Sequence, residues 1–137
     1  MKKKTIVALL GALVLAVAAP ISATASSGHR VTVQIKLGKV LHTYHVSGER
    51  GWITKGGTPR GKCPGASAAG ALDRATHGRW TGRYYRQYSD LLVSSILGVK
   101  AHGGRYWWLY VNGRSASVGV CAVKLRAGEK LLFKLIK

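Results

Sequence analysis

The amino-acid sequence predicts an α+β domain in which a mostly antiparallel sheet packs on one helix. Two regions of alternating apolar and polar residues, each broken by short turn sequences, flank one segment with helical spacing. The alternating regions cover 31–46 and 79–136, and the helical segment lies near 64–76. We therefore expect β-hairpins on both sides of a single helix.

The first alternating region predicts a hairpin. Apolar and polar residues alternate over Val31–Leu37, which is typical of a half-buried strand. Gly38-Lys39 reads as a two-residue turn, and Val40–Val46 is rich in β-branched and aromatic residues. The following Ser47–Lys62 is rich in glycine and is predicted to be a loop.

One helix is predicted over Pro64–Thr76. Pro64 suits the first helical position, and Gly78 suits a helix end. Four apolar residues follow the i, i+3, i+4, i+7 spacing of one helix face: Ala68, Ala71, Leu72 and Ala75. These small side chains predict close packing on a sheet.

The remaining sequence predicts further strands. Arg79–Val99 is extended and aromatic, and gives one or two strands whose register stays open. A hairpin is expected from Arg105–Val111 through Asn112-Gly113 into Arg114–Val118. A turn at 127–129 then leads into a last strand, Lys130–Ile136, with Leu131, Phe133 and Leu135 facing inward.

The N-terminal 25 residues read as a signal peptide. Three lysines, Lys2 to Lys4, precede an apolar core at 6–19, and Ala23-Thr24-Ala25 forms a cleavage site. The apolar run of about 14 residues is shorter than the roughly 20 that a spanning helix needs. We expect a secreted domain at 26–137 with no stable membrane span after cleavage.

Cys63 and Cys121 are the two cysteines of the chain and lie 58 positions apart. An even count in an exported chain favours a disulfide, which for a loop of this size predicts about 4 kcal/mol of stability. A metal-binding pair or a reactive thiol is the alternative, but neither cysteine lies in a CxxC or CxxH spacing.

The chain is strongly basic, with 22 Lys and Arg against 4 Asp and Glu and a net charge of +18. Without the three signal-peptide lysines, 19 basic residues stand against 4 acidic ones, a net charge near +15. Such a domain attracts polyanions, including anionic cell-wall polymers, acidic polysaccharides, lipid headgroups and free nucleic acid. Solubility alone explains the charge equally well.

Two aromatic segments are candidate ligand-binding surfaces. Alternation along the strand at 106–111 assigns Trp107, Leu109 and Val111 to the core. The opposite row, Tyr106, Trp108 and Tyr110, can stack on sugar rings, bases or a flat macrocycle. Packing against neighbouring strands or loops explains this row at least as well.

The second segment, 79–86, interleaves arginine with aromatic residues, and its candidates are Arg79, Arg83 and Arg86. Single-stranded nucleic-acid surfaces have this composition, but export argues against such a partner. An acidic glycan or wall polymer suits the same side chains. A cationic strand edge that discourages sheet pairing is the structural alternative.

Catalytic chemistry is poorly represented. The mature carboxylates, Glu49, Asp73, Asp90 and Glu129, form no evident acid–base pair. His42 and His45 lie three apart on a predicted strand and face opposite sides, which makes a shared metal unfavourable. We expect no enzyme activity, no metal and no resident cofactor.

The last third of the chain carries a family pattern. An aromatic strand ends in Val111-Asn112-Gly113, a glycine follows at Gly119 just before Cys121, and a Leu-x-x-Gly-Glu turn contains Gly128. This order resembles the DUF4430 family, which is similar to the C-terminal domain of transcobalamin and intrinsic factor. The resemblance covers most of 31–136.

The resemblance implies a β-grasp-like fold and export, with structural roles for Trp107, Asn112, Gly113, Gly119 and Gly128. Some members resembling this chain also pair a helix-start cysteine with one after the hairpin. The corrinoid link belongs to the larger carriers, and this sequence holds no counterpart of their helical-barrel domain. A corrinoid is therefore expected to bind weakly or with a second protein.

The sequence thus predicts an exported, non-catalytic binding or adhesion module, with a polyanionic surface polymer or glycan as partner. Capture of a small, corrinoid-like molecule is the alternative. An unrecognised secreted enzyme is the second alternative.

Overall fold

A computed structural model describes residues 28–55 and 61–137. The predicted signal peptide, 1–25, lies outside the described residues. The described chain is α+β, with one α-helix and mostly antiparallel strands, as the sequence predicts. No helix in these ranges has the length and apolar character to cross a membrane.

The elements of the described residues are β1 (Arg30–Leu37), β2 (Val40–Ser47), β3 (Trp52–Thr54), β4 (Lys62–Pro64), α1 (Ala68–Thr76), β5 (Trp80–Tyr85), a 3₁₀ turn (Arg86–Tyr88), β6 (Asp90–Ile96), β7 (Val99–Lys100), β8 (Tyr106–Val111), β9 (Arg114–Ser115) and β10 (Lys130–Ile136).

The largest sheet has five strands in the order β2-β1-β10-β8-β9. Its central strands, β1 and β10, run parallel, and the other neighbours are antiparallel. One face of the sheet carries the core, in which Val33, Ile35, Leu131 and Phe133 are buried. A second sheet, β5-β6-β7, packs beside β8, and β3 pairs with β4.

Helix α1 covers the core face of the large sheet. The predicted apolar face, with Ala71 and Leu72 at its centre, is fully buried against β1 and β2. The predicted start at Pro64 is wrong, because Pro64 pairs with Trp52 in a short antiparallel ladder. The helix begins after Ser67, whose hydroxyl donates a hydrogen bond to the Pro64 carbonyl at 2.6 Å.

The loop predicted at 47–62 contains an additional strand, because β3 pairs with β4. The return strand predicted over Arg114–Val118 is also wrong in length and ends at Ser115. The chain then leaves the sheet and runs to the start of α1. There the amides of Ala68 and Ala69 donate to carbonyls of this segment, which satisfies helix donors that otherwise lack partners.

The predicted hairpin turn at Asn112-Gly113 is present. Both residues have positive φ, 49° and 81°, which a tight turn between twisted strands requires. The Asn112 side chain accepts a hydrogen bond from the Lys130 amide at 2.9 Å and so joins the turn to the start of β10. Beside it, the Gly128 amide donates to the Arg30 carbonyl at 2.9 Å.

A disulfide joins Cys63 of β4 to Cys121, with 4.8 Å between the Cα atoms. Both cysteines are buried. The bridge therefore holds the segment after β9 against the sheet that precedes the helix.

Candidate binding groove

Strand β8 presents two different faces. Trp107 is only 3% exposed and packs in the core with Leu109, as alternation predicts. Val111, assigned to the same face, is half-buried against the core. Tyr106, Trp108 and Tyr110 lie on the outer face, where Tyr106 is exposed and the other two are half-buried.

Trp108 is held in a defined orientation. Its indole Nε1 donates to the Ser115 hydroxyl at 2.6 Å, which draws the ring toward β9. The Tyr106 ring packs on it edge-on, with 5.7 Å between ring centroids. Two contacts therefore fix a large aromatic surface without burying it.

Trp108 lines an open groove of about 650 Å³ where β6 packs beside β8. We call it the aromatic groove. Its aromatic and apolar walls come from three chain segments: Tyr85, Tyr88, Leu92, Trp108, Ala116 and Val118. Tyr88 is 73% exposed and Val118 is 50% exposed, so much of this apolar surface faces solvent. Contiguous exposed surface of this kind is typical of interaction sites.

Asp90 forms part of the groove floor and is only 6% exposed. Its Oδ1 accepts hydrogen bonds from the amides of Leu91 and Cys121, at 2.7 and 2.9 Å. Gly119 lies so close that an added Cβ would overlap the carboxylate. Asp90 therefore anchors the disulfide-linked segment to β6, and the glycine of the family pattern makes room for it.

Basic side chains lie beside the groove. Arg83 is opposite Leu92 in the β5–β6 ladder, and its guanidinium lies 5.5 Å from the centre of the Tyr85 ring. The Tyr85 and Tyr88 rings are 6.5 Å apart, and the exposed Arg86 lies between them in sequence. These positions place positive charge next to the aromatic walls.

Arg79 lies elsewhere. Its Nε donates to the Thr76 carbonyl at 3.3 Å, at the end of α1. A basic side chain is well placed at a helix C-terminus, where the backbone carbonyls carry partial negative charge. Of the three arginines predicted together, the structure places Arg83 next to the groove, leaves Arg86 exposed close to it, and ties Arg79 to the helix.

Three of the chain's four carboxylates have partners inside the fold. Asp73 pairs with Lys55 at 3.4 Å and accepts a hydrogen bond from the indole of Trp80 at 2.7 Å. Glu129 accepts from the Arg126 amide at 2.9 Å, and Asp90 is buried as described. Because the chain has 22 lysines and arginines against four carboxylates, its surface is predominantly cationic.

The outer face of the large sheet is part of this cationic surface. Lys36 lies opposite Lys134 in the β1–β10 ladder, and Lys134 lies opposite Trp108 in the β10–β8 ladder. Tyr106 and Tyr110 share this face but do not line the aromatic groove. The predicted aromatic row is thus divided, and only Trp108 contributes to both surfaces.

Sequence reasoning did not identify Tyr85, Tyr88, Leu92 and Val118 as site residues. Tyr85 and Tyr88 belong to the aromatic segment at 79–99, but no regular spacing of its aromatic residues distinguishes the two that face the groove. Leu92 and Val118 carry no local signal, because their role depends on segments that meet only in the folded chain.

The α+β fold of this chain is also found in solved proteins. The chain belongs to the DUF4430 family, a domain of unknown function, whose model matches residues 66–137. The match contains α1, β8, the Asn112-Gly113 turn, Gly119 and β10. No curated protein matches the chain.

Several solved structures are similar to it, among them the following two. Haptocorrin in complex with Cbi (cobinamide) has a TM-score of 0.57 and 18% identity over 81% of this chain, which spans 25% of the haptocorrin chain. A protein of Ruminococcus gnavus ATCC 29149 to which metal binding has been ascribed has a TM-score of 0.55 and 10% identity, over 80% of this chain and 99% of its own. At these identities the likeness shows the fold.

Within 28–55 and 61–137, no three or more histidine, cysteine, aspartate or glutamate side chains are grouped so as to hold a metal ion.

Proposed function

We propose that this protein is an exported, non-catalytic binding module that contacts an anionic surface polymer or glycan through the aromatic groove. The observation that carries the proposal is the meeting of Trp108 with Tyr85 and Tyr88, which lie 20 or more positions earlier in the chain, beside the Arg83 guanidinium. Aromatic walls with flanking cations suit a ligand that carries both rings and negative charges.

Stacking would supply the short-range part of binding. Trp108 is held by Ser115 and Tyr106 before any ligand arrives, so little side-chain entropy is lost on contact. Stacking of a ring on an aromatic side chain contributes about 1–3 kcal/mol in nucleic-acid complexes, and a flat sugar face uses the same surface.

Charge would supply the long-range part. The net charge near +15 of the predicted mature chain attracts a polyanion before contact. Such attraction falls with ionic strength, since the screening length is about 10 Å at 0.1 M salt.

We also propose that the protein is exported and that it has a single domain. The signal-peptide pattern at 1–25 supports secretion, and the Cys63–Cys121 bridge is the kind of bond that persists outside the cytoplasm. In this proposal the single domain covers 26–137, which is the chain left after cleavage of the signal peptide.

We further propose the β-grasp assignment for the fold. It is supported by the strand order of the large sheet, by the parallel pair β1 and β10 at its centre, and by the helix that follows the first hairpin and packs on one face.

A matched pair of charge variants tests the groove. Arg83→Gln/Arg86→Gln removes two charges beside the aromatic walls, and Arg50→Gln/Lys62→Gln removes two exposed charges elsewhere. Binding to an anionic glycan such as heparin is measured by calorimetry at several salt concentrations. The groove pair should weaken binding at least about tenfold more than the control pair. Equal losses would mean that the polymer adheres to the whole cationic surface and would reject the groove as its site.

Capture of a small molecule is the second candidate, and the groove volume favours it. A space of about 650 Å³ lies within the usual range of ligand pockets, about 300–1,000 Å³. Cobinamide is the natural probe because haptocorrin, similar in fold, was solved with Cbi. Saturable quenching of tryptophan fluorescence by cobinamide, weaker in Trp108→Phe and unaffected by salt, would support this candidate over the polymer.

A further inference from the structure

Strand β2 is an open edge of the large sheet. Within 28–55 and 61–137 it pairs only with β1, in an unbroken register from Arg30 opposite Ser47 to Leu37 opposite Val40. An antiparallel ladder uses the backbone groups of every second residue, so about half of the β2 amides and carbonyls point away from β1. In the described chain, the outward-pointing backbone groups of this eight-residue strand therefore have no ladder partners.

Other strand edges in the described chain are blocked. Strand β5 carries the exposed Arg83 and a register shift between Thr81 and Gly82. Strands β7 and β9 have two residues each and contain Lys100 and Arg114, and β3 and β4 have three residues each. Charge, irregularity and short length are the usual means by which a sheet edge avoids pairing with another chain.

Strand β2 has none of these features. Its sequence, VLHTYHVS, contains no lysine, arginine, acidic residue, proline or glycine. At its start Val40 is 57% exposed and Leu41 is 49% exposed. A long, regular, uncharged edge in a chain this basic is a surface suited to pairing.

The charges at the two ends of β2 specify a partner. Lys39 precedes the strand and Glu49 follows it by two residues. If two copies pair antiparallel about a two-fold axis at Tyr44, Lys39 of each copy lies just beyond the end of the other copy's β2. Glu49 is the acidic residue nearest that end in sequence, although its backbone has left the strand and its amide donates to the Gly65 carbonyl at 2.9 Å. The pairing is self-complementary, as a two-fold interface must be.

We infer that β2 is a dimerisation edge, at which a second copy of this chain adds antiparallel in the register set by Tyr44. The two five-stranded sheets then form one continuous sheet of ten strands. The core faces stay on the same side of that sheet because paired residues share a face. The aromatic groove, at the opposite end of each sheet, stays open in both copies.

Net charge opposes this pairing at low salt. Two chains that each carry a charge near +15 repel each other, and added salt screens the repulsion while leaving backbone hydrogen bonds intact. Dimerisation is therefore expected to strengthen with salt, whereas binding of an anionic polymer weakens. This inference and the proposed function consequently fail independently.

Sedimentation velocity on the purified protein at about 0.05 M and about 0.5 M NaCl tests the edge. We expect a dimer at the higher salt, weakened at least about tenfold by Thr43→Lys, which adds a charge at the middle of β2. Thr54→Lys adds the same charge at an exposed position of β3 and should dimerise like the wild type. A monomer at both salts, or equal dimerisation of Thr43→Lys and the wild type, would overturn the inference.

A charge exchange tests the register. Glu49→Lys should weaken the dimer, and Lys39→Glu added to it should restore the dimer, because the pair across the interface is then reversed. Slower amide exchange in β2 but not in β5 on dimerisation would support edge pairing. Failure of the double variant to recover, with both variants folded by circular dichroism, would reject the Tyr44 register.

Discussion

Trp107 and Trp108 are neighbours in sequence and lie on opposite faces of the same sheet. Trp107 is buried with Leu109 and Phe133, and its indole Nε1 donates to the Val99 carbonyl at 3.1 Å. Trp108 is half-buried, bonded to Ser115 and open to the aromatic groove. The inner ring holds the two sheets together, and the outer ring is fixed in place but left accessible. Burial therefore separates a stabilising tryptophan from a candidate binding one.

The largest expected effect is at the inner face. Trp107→Ala should reduce the free energy of unfolding by about 3–5 kcal/mol, because it removes a large buried side chain and leaves a cavity. Denaturant titration gives the value, and Trp108→Ala is the matched change on the outer face. A larger loss for Trp108→Ala would mean that the two faces have exchanged roles.

Removing the disulfide should have the next largest effect. Cys63→Ala/Cys121→Ala should lower stability by about 2–4 kcal/mol, because the unfolded chain regains the freedom of a loop spanning 58 positions. Thermal unfolding of the double variant and of the reduced wild type should agree. Unchanged unfolding in both would show that the bridge does not stabilise the segment around the groove.

A smaller loss is expected at the groove floor. Gly119→Ala should cost about 1–3 kcal/mol, since the new methyl group displaces the Asp90 carboxylate from the amides of Leu91 and Cys121. Ser117→Ala is an exposed control in the same segment and should stay within about 0.5 kcal/mol of the wild type. Chemical denaturation compares the two, and equal stabilities would remove the structural reason given for Gly119.

The inner face could be read from the sequence because its signals are local. Period-two alternation in β1, β8 and β10 identifies Val33, Leu109 and Phe133 as inward residues, and the Asn112-Gly113 pair requires a tight turn. The family pattern extends the same local information to Gly119 and Gly128.

The remaining features depend on distant contacts. The helix begins only after Ser67, because Pro64 pairs with β3. Strand β9 ends at Ser115, and the segment that follows it accepts hydrogen bonds from the first amides of α1. The groove arises where Tyr88, Leu92 and Val118 meet, and no periodicity within one segment encodes that meeting. Nothing in the local sequence distinguishes Asp90 from a surface acid, because the Cys121 amide that it binds lies 31 positions away.

The outer face has the smallest expected effect on stability and the most direct bearing on function. Trp108→Ala should change the free energy of unfolding by less than about 1 kcal/mol. It should weaken binding of an anionic glycan by about 1–3 kcal/mol while leaving the salt dependence of binding nearly unchanged, because stacking acts only on contact.

Calorimetric titration of Trp108→Ala beside Trp52→Ala tests the groove most directly. Trp52 is 64% exposed, lies outside the groove and has Lys62 over its ring, so it controls for loss of an exposed tryptophan near a cation. We expect weaker binding for Trp108→Ala and wild-type binding for Trp52→Ala, with both variants folded. Equal affinities for the two variants would contradict the assignment of the aromatic groove as the binding site.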